Sequence, residues 1–189
     1  MNFLFMRHGE TTANKKGLCS GASCASKLTD AGKQQILDAA HALFVKGVRP
    51  DVILFSPTVR ARQSAELLRD QLRLQEHVFM EEEGLKERDY GAWEGVPFLE
   101  VRDRLLSGAI GEGGEPLPAF HARLEGLVHR LGDLQGREVL AISHGYVWQG
   151  LHDIHLATEE PWINNAEIYR VTIDPPDLST EPVFIRAKA

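Results

Sequence analysis

The sequence predicts an α/β fold layered around a mainly parallel sheet, on three observations. Short apolar runs, Phe3-Leu4-Phe5-Met6, Val52-Ile53-Leu54-Phe55 and Val139-Leu140-Ala141-Ile142, have the length and continuity of buried strands. Longer stretches with apolar residues at helical spacing alternate with them, as layered α/β folds require. Each run is followed at once by residues able to act on a ligand: Arg7-His8-Gly9, Ser56-Pro57 and Ser143-His144-Gly145. Open α/β sheets build their sites at such strand ends.

The elements follow in order. After the first strand, Leu28-Thr29-Asp30 opens a long helix with Thr29 as N-cap. Ile36, Ala40, Leu43 and Phe44 give it a buried face, and Gly47 ends it. Beyond the second strand, Ser56 caps a helix whose first turn suits Pro57. Its buried stripe is Ala61, Ala65, Leu68 and Leu72, which places Arg60 in the opening turn, where free backbone N–H groups favour anions. Residues 77–81 read as a short strand. The glycine-rich, charged stretch 84–115 holds one helix near 97–107 and reads as a cap over the site, not a separate domain. Phe120, Leu124, Leu127, Leu131 and Leu134 keep one face of the clearest helix, 117–134. A strand at 138–142, a helix over roughly 146–157 and a strand at 167–173 follow. Pro175-Pro176 break that strand, and the last strand pattern falls at 182–186.

Composition bounds the function. A chain of 189 residues suits one domain, here 1–189, with a modest cap. Apolar content of 43% and charged content of 25% are those of an ordinary globular protein. No apolar run nears the roughly 18 residues that cross a membrane. Arg7 and Glu10 follow the start too soon for a signal peptide, so the chain reads as cytoplasmic. A net charge of −6 argues against a nucleic-acid partner but leaves room for a local arginine cluster on phosphate. Glu81-Glu82-Glu83 reads as a solvated run. Cys19 and Cys24 read as reduced thiols without zinc spacing, with a redox switch as the lesser reading. His152-Asp153-Ile154-His155 reads as decoration of a helix face, so no metal or other cofactor is expected. Nothing in the residues speaks to an oligomeric state.

The chemistry-bearing residues lie in four segments. Arg7 offers a planar fork of donors for an anion, His8 an imidazole able to form a covalent intermediate, and Gly9 a close backbone approach. Arg60 and His144 come from the second and last segments. Leu85-Lys86-Glu87-Arg88-Asp89-Tyr90-Gly91-Ala92-Trp93-Glu94-Gly95 supplies carboxyl groups. Neighbouring cations such as Arg7 and Arg60 depress an imidazole pKa and keep its nitrogen free to attack. His41, His77 and His129 read as exposed, His121 as structural. Trp93, Trp148 and Trp162 read as packing, with Trp93 the first exception to consider.

In that order, over nearly the whole chain, these segments resemble the signatures of the histidine phosphatase superfamily, which includes phosphatases and cofactor-dependent phosphoglycerate mutases. Arg7-His8-Gly9-Glu10-Thr11 is similar to the opening signature that carries the phosphorylated histidine. Ser56-Pro57 with Arg60-Ala61 and Gln63 resembles the second, and Ser143-His144-Gly145 the closing one. Glu87 with Gly91, Trp93, Glu94 and Gly95 resembles the segment of the proton donor. The chain departs from the pattern at Gly113-Gly114-Glu115-Pro116 and at Leu18-Cys19-Ser20-Gly21, outside the core pocket. The resemblance implies a three-layer α/β/α, phosphoglycerate mutase-like fold with a small cap. It implies a metal-independent phosphomonoesterase acting on a small-molecule phosphate ester through a phosphohistidine on His8. Arg7, Arg60 and His144 would then stabilise the phosphoryl oxygens, and Glu87, preferred to Asp89 and Glu94 on the resemblance alone, would be the general acid. Asn14, Thr11 and Gly145 would contact the phosphate, with helix capping as the alternative for Thr11.

The chain looks most similar to bacterial phosphatases of the α-ribazole phosphatase-like and broad-specificity types. Three other functions stand beside that reading. A mutase must shield its phosphohistidine from water, and known mutases resemble longer chains. The smallest protein phosphohistidine phosphatases look shorter and lack an acid-bearing segment. A non-catalytic phosphate sensor would not need two histidines, two arginines and a candidate acid together.

Overall fold

The computed structural model describes residues 1–23, 25–75, 78–155, 162–174 and 177–184. Cys24, His77 and Pro175-Pro176 lie outside the described residues, as do 156–157 of the expected helix and 185–186 of the expected last strand. The apolar runs form strands β1 (Asn2–Arg7), β2 (Val52–Phe55) and β4 (Val139–Ser143), and the short strand β3 is Phe79–Glu81. With β5 (Ile168–Asp174) and β6 (Asp177–Phe184) they make a six-stranded sheet of order β3-β2-β4-β1-β5-β6. The first four strands are parallel, and β5 and β6 continue the sheet antiparallel.

Register places the site. Arg7 lies opposite Ser143 and Phe55 opposite Ile142, so β1, β4 and β2 end at one level. The next residues emerge side by side: the His8 amide donates to Ser143 O at 3.0 Å, and the Ser56 amide to Ile142 O at 3.0 Å.

Successive side chains on a strand face opposite ways, and both faces of this sheet are covered. Leu4, Met6, Ile53, Phe55, Leu140 and Ile142 pack with helices α2 (Asp30–Val45) and α3 (Val59–Leu72). Phe3, Phe5, Val52, Leu54, Val139 and Ala141 pack with α5 (Leu117–Gly132) and α6 (Gly145–Ile154). The result is the expected three layers, and burial on both faces explains the unbroken apolar runs. A short helix α1 (Thr12–Lys15) follows the first strand, and α4 (Phe98–Leu106) lies within 84–115.

Several local expectations are corrected. Phe44 is 73% exposed, one residue and about 100° of helix round from Leu43, which is buried in the same last turn of α2. Thr58, not Ser56, is the N-cap of α3, and the Ser56 hydroxyl is used in the site instead. The last strand begins at Asp177, five residues before the apolar pattern, because an edge strand pairs through its backbone and tolerates Ser179, Thr180 and Pro182. The acidic run is not simply solvated: Glu82 pairs with Arg130 at 2.8 Å and Glu81 with Arg62. His152 does not decorate a surface; it is buried against Trp148, ring centroids 4.5 Å apart. Among the described residues no helix is long and apolar enough to cross a membrane.

Candidate active site

The end of β1 turns sharply because Gly9 has no side chain. A Cβ there would lie 2.5 Å from the carbonyl oxygen of Gly32. The Gly9 amide donates to Ser64 Oγ at 3.1 Å, whose hydroxyl donates to Arg60 O at 2.7 Å, so α3 is tied to this turn. His8, fully enclosed, has Nδ1 2.8 Å from Gly9 O. A carbonyl only accepts, so the ring proton sits on Nδ1 and Nε2 keeps its lone pair. Arg60 Nε donates to that Nε2 at 3.2 Å, and Arg60 Nη2 donates to the carbonyls of Ser20 and Gly21, each at 3.0 Å. The stretch 18–21, expected outside the core pocket, is instead part of it, with Leu18, Cys19 and Ser20 lining the same cavity as His8. Burial pushes the His8 pKa well below its ordinary 6.5; Arg60 and Arg7 push the same way, and the bond to Gly9 opposes them.

The second imidazole, His144, stands with its ring centroid 5.1 Å from that of His8. Its Nε2 meets Ser56 Oγ at 2.8 Å and Thr58 Oγ1 at 3.3 Å, while its Nδ1 is buried without a hydrogen-bond partner. Burial first, then Arg60, His8 and Arg7, hold its pKa well below 6.5. Ser56 was expected as a helix cap and in the second signature, and the contact of Ser56 and Thr58 with His144 was not foreseen. Their signal was small hydroxyl residues at the strand end beside a histidine-bearing one.

Glu87 is buried and accepts from the amides of Arg88 at 3.0 Å and Tyr146 at 3.3 Å. Burial raises its carboxyl pKa above the usual 4.5, against the pull of Arg60, the two amides and Arg7. The rival carboxylates are otherwise engaged. Asp89 accepts from the Gly91 amide at 2.8 Å, and Glu94 from the Gly21 amide at 2.8 Å. Glu87 forms no ion pair with Lys86 or Arg88. The Arg88 guanidinium is directed to Glu115 O at 2.9 Å, Gly108 O at 3.0 Å and Tyr146 Oη at 3.4 Å.

Arg7, His8, Glu87, Asn14 and Gly145 line a common cavity of about 260 Å³. Arg7 Nη1 donates to Ile163 O at 2.9 Å, and its Nε is buried without a partner. Arg60 and His144 stand beside His8 behind this wall. Thr11 does not line the cavity: its hydroxyl accepts from the Asn14 amide at 3.1 Å, capping α1, while Asn14 Oδ1 accepts from the Thr11 amide at 3.2 Å. Asn165, missed in the sequence, donates to His8 O at 3.0 Å and Asn14 Oδ1 at 3.3 Å. Trp162, expected to pack, is 50% exposed and lines the cavity with Phe98, whereas Trp93 lies under Arg104 and Trp148 is core. His121 pairs with Asp153 at 3.7 Å, away from the cavity.

Residues 3–180 match the profile of the Histidine phosphatase superfamily (branch 1). The uncharacterized phosphatase PhoE of Bacillus subtilis (strain 168) is 33% identical over 141 residues, 74% of this chain and 69% of that protein. The adenosylcobalamin/alpha-ribazole phosphatase of Escherichia coli (strain K12) is 32% identical over 158 residues, 76% of this chain and 73% of that protein. A solved structure, the putative alpha-ribazole-5'-P phosphatase of E. coli K-12 MG1655, superimposes with a TM-score of 0.79 at 25% identity, covering 100% of this chain and 98% of the other.

Proposed function

The chain belongs to the histidine phosphatase superfamily, branch 1, and from that premise we infer a phosphomonoesterase that hydrolyses a small phosphorylated metabolite through a phosphohistidine on His8. One observation carries the assignment of the nucleophile. The His8 proton is held on Nδ1 by a backbone carbonyl, which leaves the lone pair on Nε2, where it accepts from Arg60 Nε at 3.2 Å until a phosphoryl group takes that donor's place.

In the first half-reaction Nε2 attacks phosphorus, the N–P bond forms and the P–O bond to the alcohol breaks. Glu87, whose carboxyl holds its proton more tightly because it is buried, is assigned the donation of that proton to the leaving oxygen. Charge spreads over the equatorial phosphoryl oxygens. Arg7 meets it with an unpartnered Nε, Arg60 with the Nε–H that Nε2 gives up as it bonds to phosphorus, and His144 through its unpartnered Nδ1. The proposal has the Ser56 hydroxyl, 2.8 Å from His144 Nε2, as the donor of that pair, which would leave the proton on Nδ1 for the phosphoryl group. Gly145 and Asn14 line the cavity at the start of α6 and on α1, and are assigned contacts to the phosphate; Thr11 acts through Asn14. In the second half-reaction Glu87, now a carboxylate, takes a proton from water, whose oxygen displaces His8 from phosphorus.

Cations from the protein meet the phosphoryl charge, so the proposal needs no metal. We assign 84–115 the part of a cap within a single domain, since Tyr90 and Phe98 line the cavity. Phosphate release from p-nitrophenyl phosphate should persist in EDTA and disappear in His8→Ala. Rapid quenching should trap the phosphoryl group on His8; activity surviving in His8→Ala, or an adduct elsewhere, refutes the assignment.

A further inference from the structure

The cavity divides by chemistry. Arg7, His8 and the acid Glu87 line it, the groups the proposed reaction assigns to the transferring phosphoryl group and its leaving oxygen. Four aromatic side chains line it as well. Tyr90 and Tyr146 meet edge to face, 6.0 Å apart, and Phe98 and Trp162 meet at the mouth, 6.5 Å apart and tilted 47°. Among the described residues lining the cavity, Arg7 is the only lysine or arginine, so a second anionic group on the substrate would meet no further cation among them.

The mouth pair is held in place from both sides. The Phe98 amide donates to Gly17 O at 2.8 Å, fixing the start of α4 against the loop after α1. Trp162 lies 5.9 Å from the Arg7 guanidinium, which also grips the carbonyl of the next residue, Ile163. A tryptophan half in water beside a phosphate-binding arginine leaves an apolar face uncovered at the place the leaving group must pass. The cavity volume, about 260 Å³, sits just under the usual small-molecule range of roughly 300–1,000 Å³. It has room for a phosphoryl group and one further ring.

Resting on the phosphomonoesterase reading, we propose that Trp162 and Phe98 set specificity. They select phosphate monoesters whose alcohol carries an uncharged, planar or aromatic group within a few bonds of the phosphate, against those carrying a carboxylate or second phosphate. The ring of the alcohol packs on the Phe98–Trp162 wall while the phosphoryl group reaches His8.

The test separates this from the phosphatase assignment by reading binding and turnover apart. Propylphosphonate and 3-phenylpropylphosphonate cannot be hydrolysed and differ only in the ring. Calorimetric titration should find the phenyl compound about tenfold tighter, the scale of one good aromatic contact. That ratio should fall to about one in Trp162→Ala and persist in Trp162→Phe. The matching phosphate esters share nearly the same leaving alcohol, so their kcat/KM ratio should follow the same pattern, with 3-phosphoglycerate below both. Equal binding of the two phosphonates, or a ratio untouched in Trp162→Ala, overturns the proposal even if phosphate is released from every ester. Absence of phosphate release with the binding ratio intact overturns the phosphatase reading and leaves the aromatic subsite standing.

Discussion

Glu87 shows how one buried side chain sets a pH dependence. Its carboxyl pKa is raised above 4.5 by burial, which favours the proton that the proposed acid must give to a departing alkoxide, and that proton is lost as pH climbs through the raised value. His8 acts in the opposite sense: held well below 6.5, it stays neutral until the medium is far more acidic. Activity should therefore fall on the alkaline side as Glu87 ionises, and Glu87→Gln should remove that limb. The same variant should lose about 10²–10⁴-fold in kcat on alkyl phosphates, and less on p-nitrophenyl phosphate, whose leaving group needs little help from an acid. An unchanged alkaline limb in Glu87→Gln would reassign the acid. A linked effect belongs to stability. A carboxyl with a raised folded pKa binds a proton more tightly folded than unfolded, so its contribution is complete below about 4.5 and is lost as pH rises through the folded value. Urea titrations should show Glu87→Gln less sensitive than the parent to alkaline pH.

At the level of elements, the turn after β1 and the first turn of α2 touch backbone to backbone. A Cβ on Gly32 would lie 2.1 Å from Glu10 O, and one on Gly9 would lie 2.5 Å from Gly32 O. Glycine in a helix usually weakens it by about 0.5–1 kcal/mol relative to alanine, so Gly→Ala ordinarily stabilises. Gly126 in α5 should follow that rule, since a Cβ there meets only the flexible end of Arg130 at 3.3 Å. Gly32→Ala should reverse it, losing about 1–3 kcal/mol from the forced shift and lowering kcat by displacing His8. Thermal melts of the two variants, one rising and one falling, check the argument; a rise in both defeats it. These elements also show what a sequence reveals. The parallel strands were legible because burial on both faces leaves unbroken apolar runs, and His8 and His144 because they follow such runs directly. Thr29 was legible as a cap because it precedes a helical apolar pattern, and its hydroxyl does accept from the Gly32 amide. The contact of Ser56 with His144 and the places of Asn165 and Trp162 at the cavity were not, since these depend on which way a side chain points once three strand ends are level. Strand β6 was placed late because edge pairing needs backbone, not apolar residues.

Across the whole molecule, the question is whether 84–115 opens by itself or moves with the sheet. Its hydrogen bonds run outward to both α5 and the strand ends. Arg123 on α5 grips Glu115 through two bonds, at 2.9 and 2.7 Å, and donates to the carbonyls of Gly84 and Lys86. Ser143 at the end of β4 donates to Leu85 O at 2.7 Å, and Arg88 joins two carbonyls within 108–115 to the Tyr146 hydroxyl. Val101 and Leu105 of α4 are buried in the same apolar cluster as Phe120 and Leu124. A segment so tied should open only with the elements beneath it, and native-state hydrogen exchange should give α4 and α5 amides similar opening free energies. Arg123→Ala removes four of those ties at once while leaving the sheet's two apolar layers intact. It should speed exchange in 84–115 ahead of β1 and β4, and it should raise KM, since Tyr90 and Phe98 ride on the loosened segment. Exchange of α4 well ahead of α5 in the parent protein would make the segment an independently moving lid. The loss of phosphate release on loosening would then report opening rather than damage to the site.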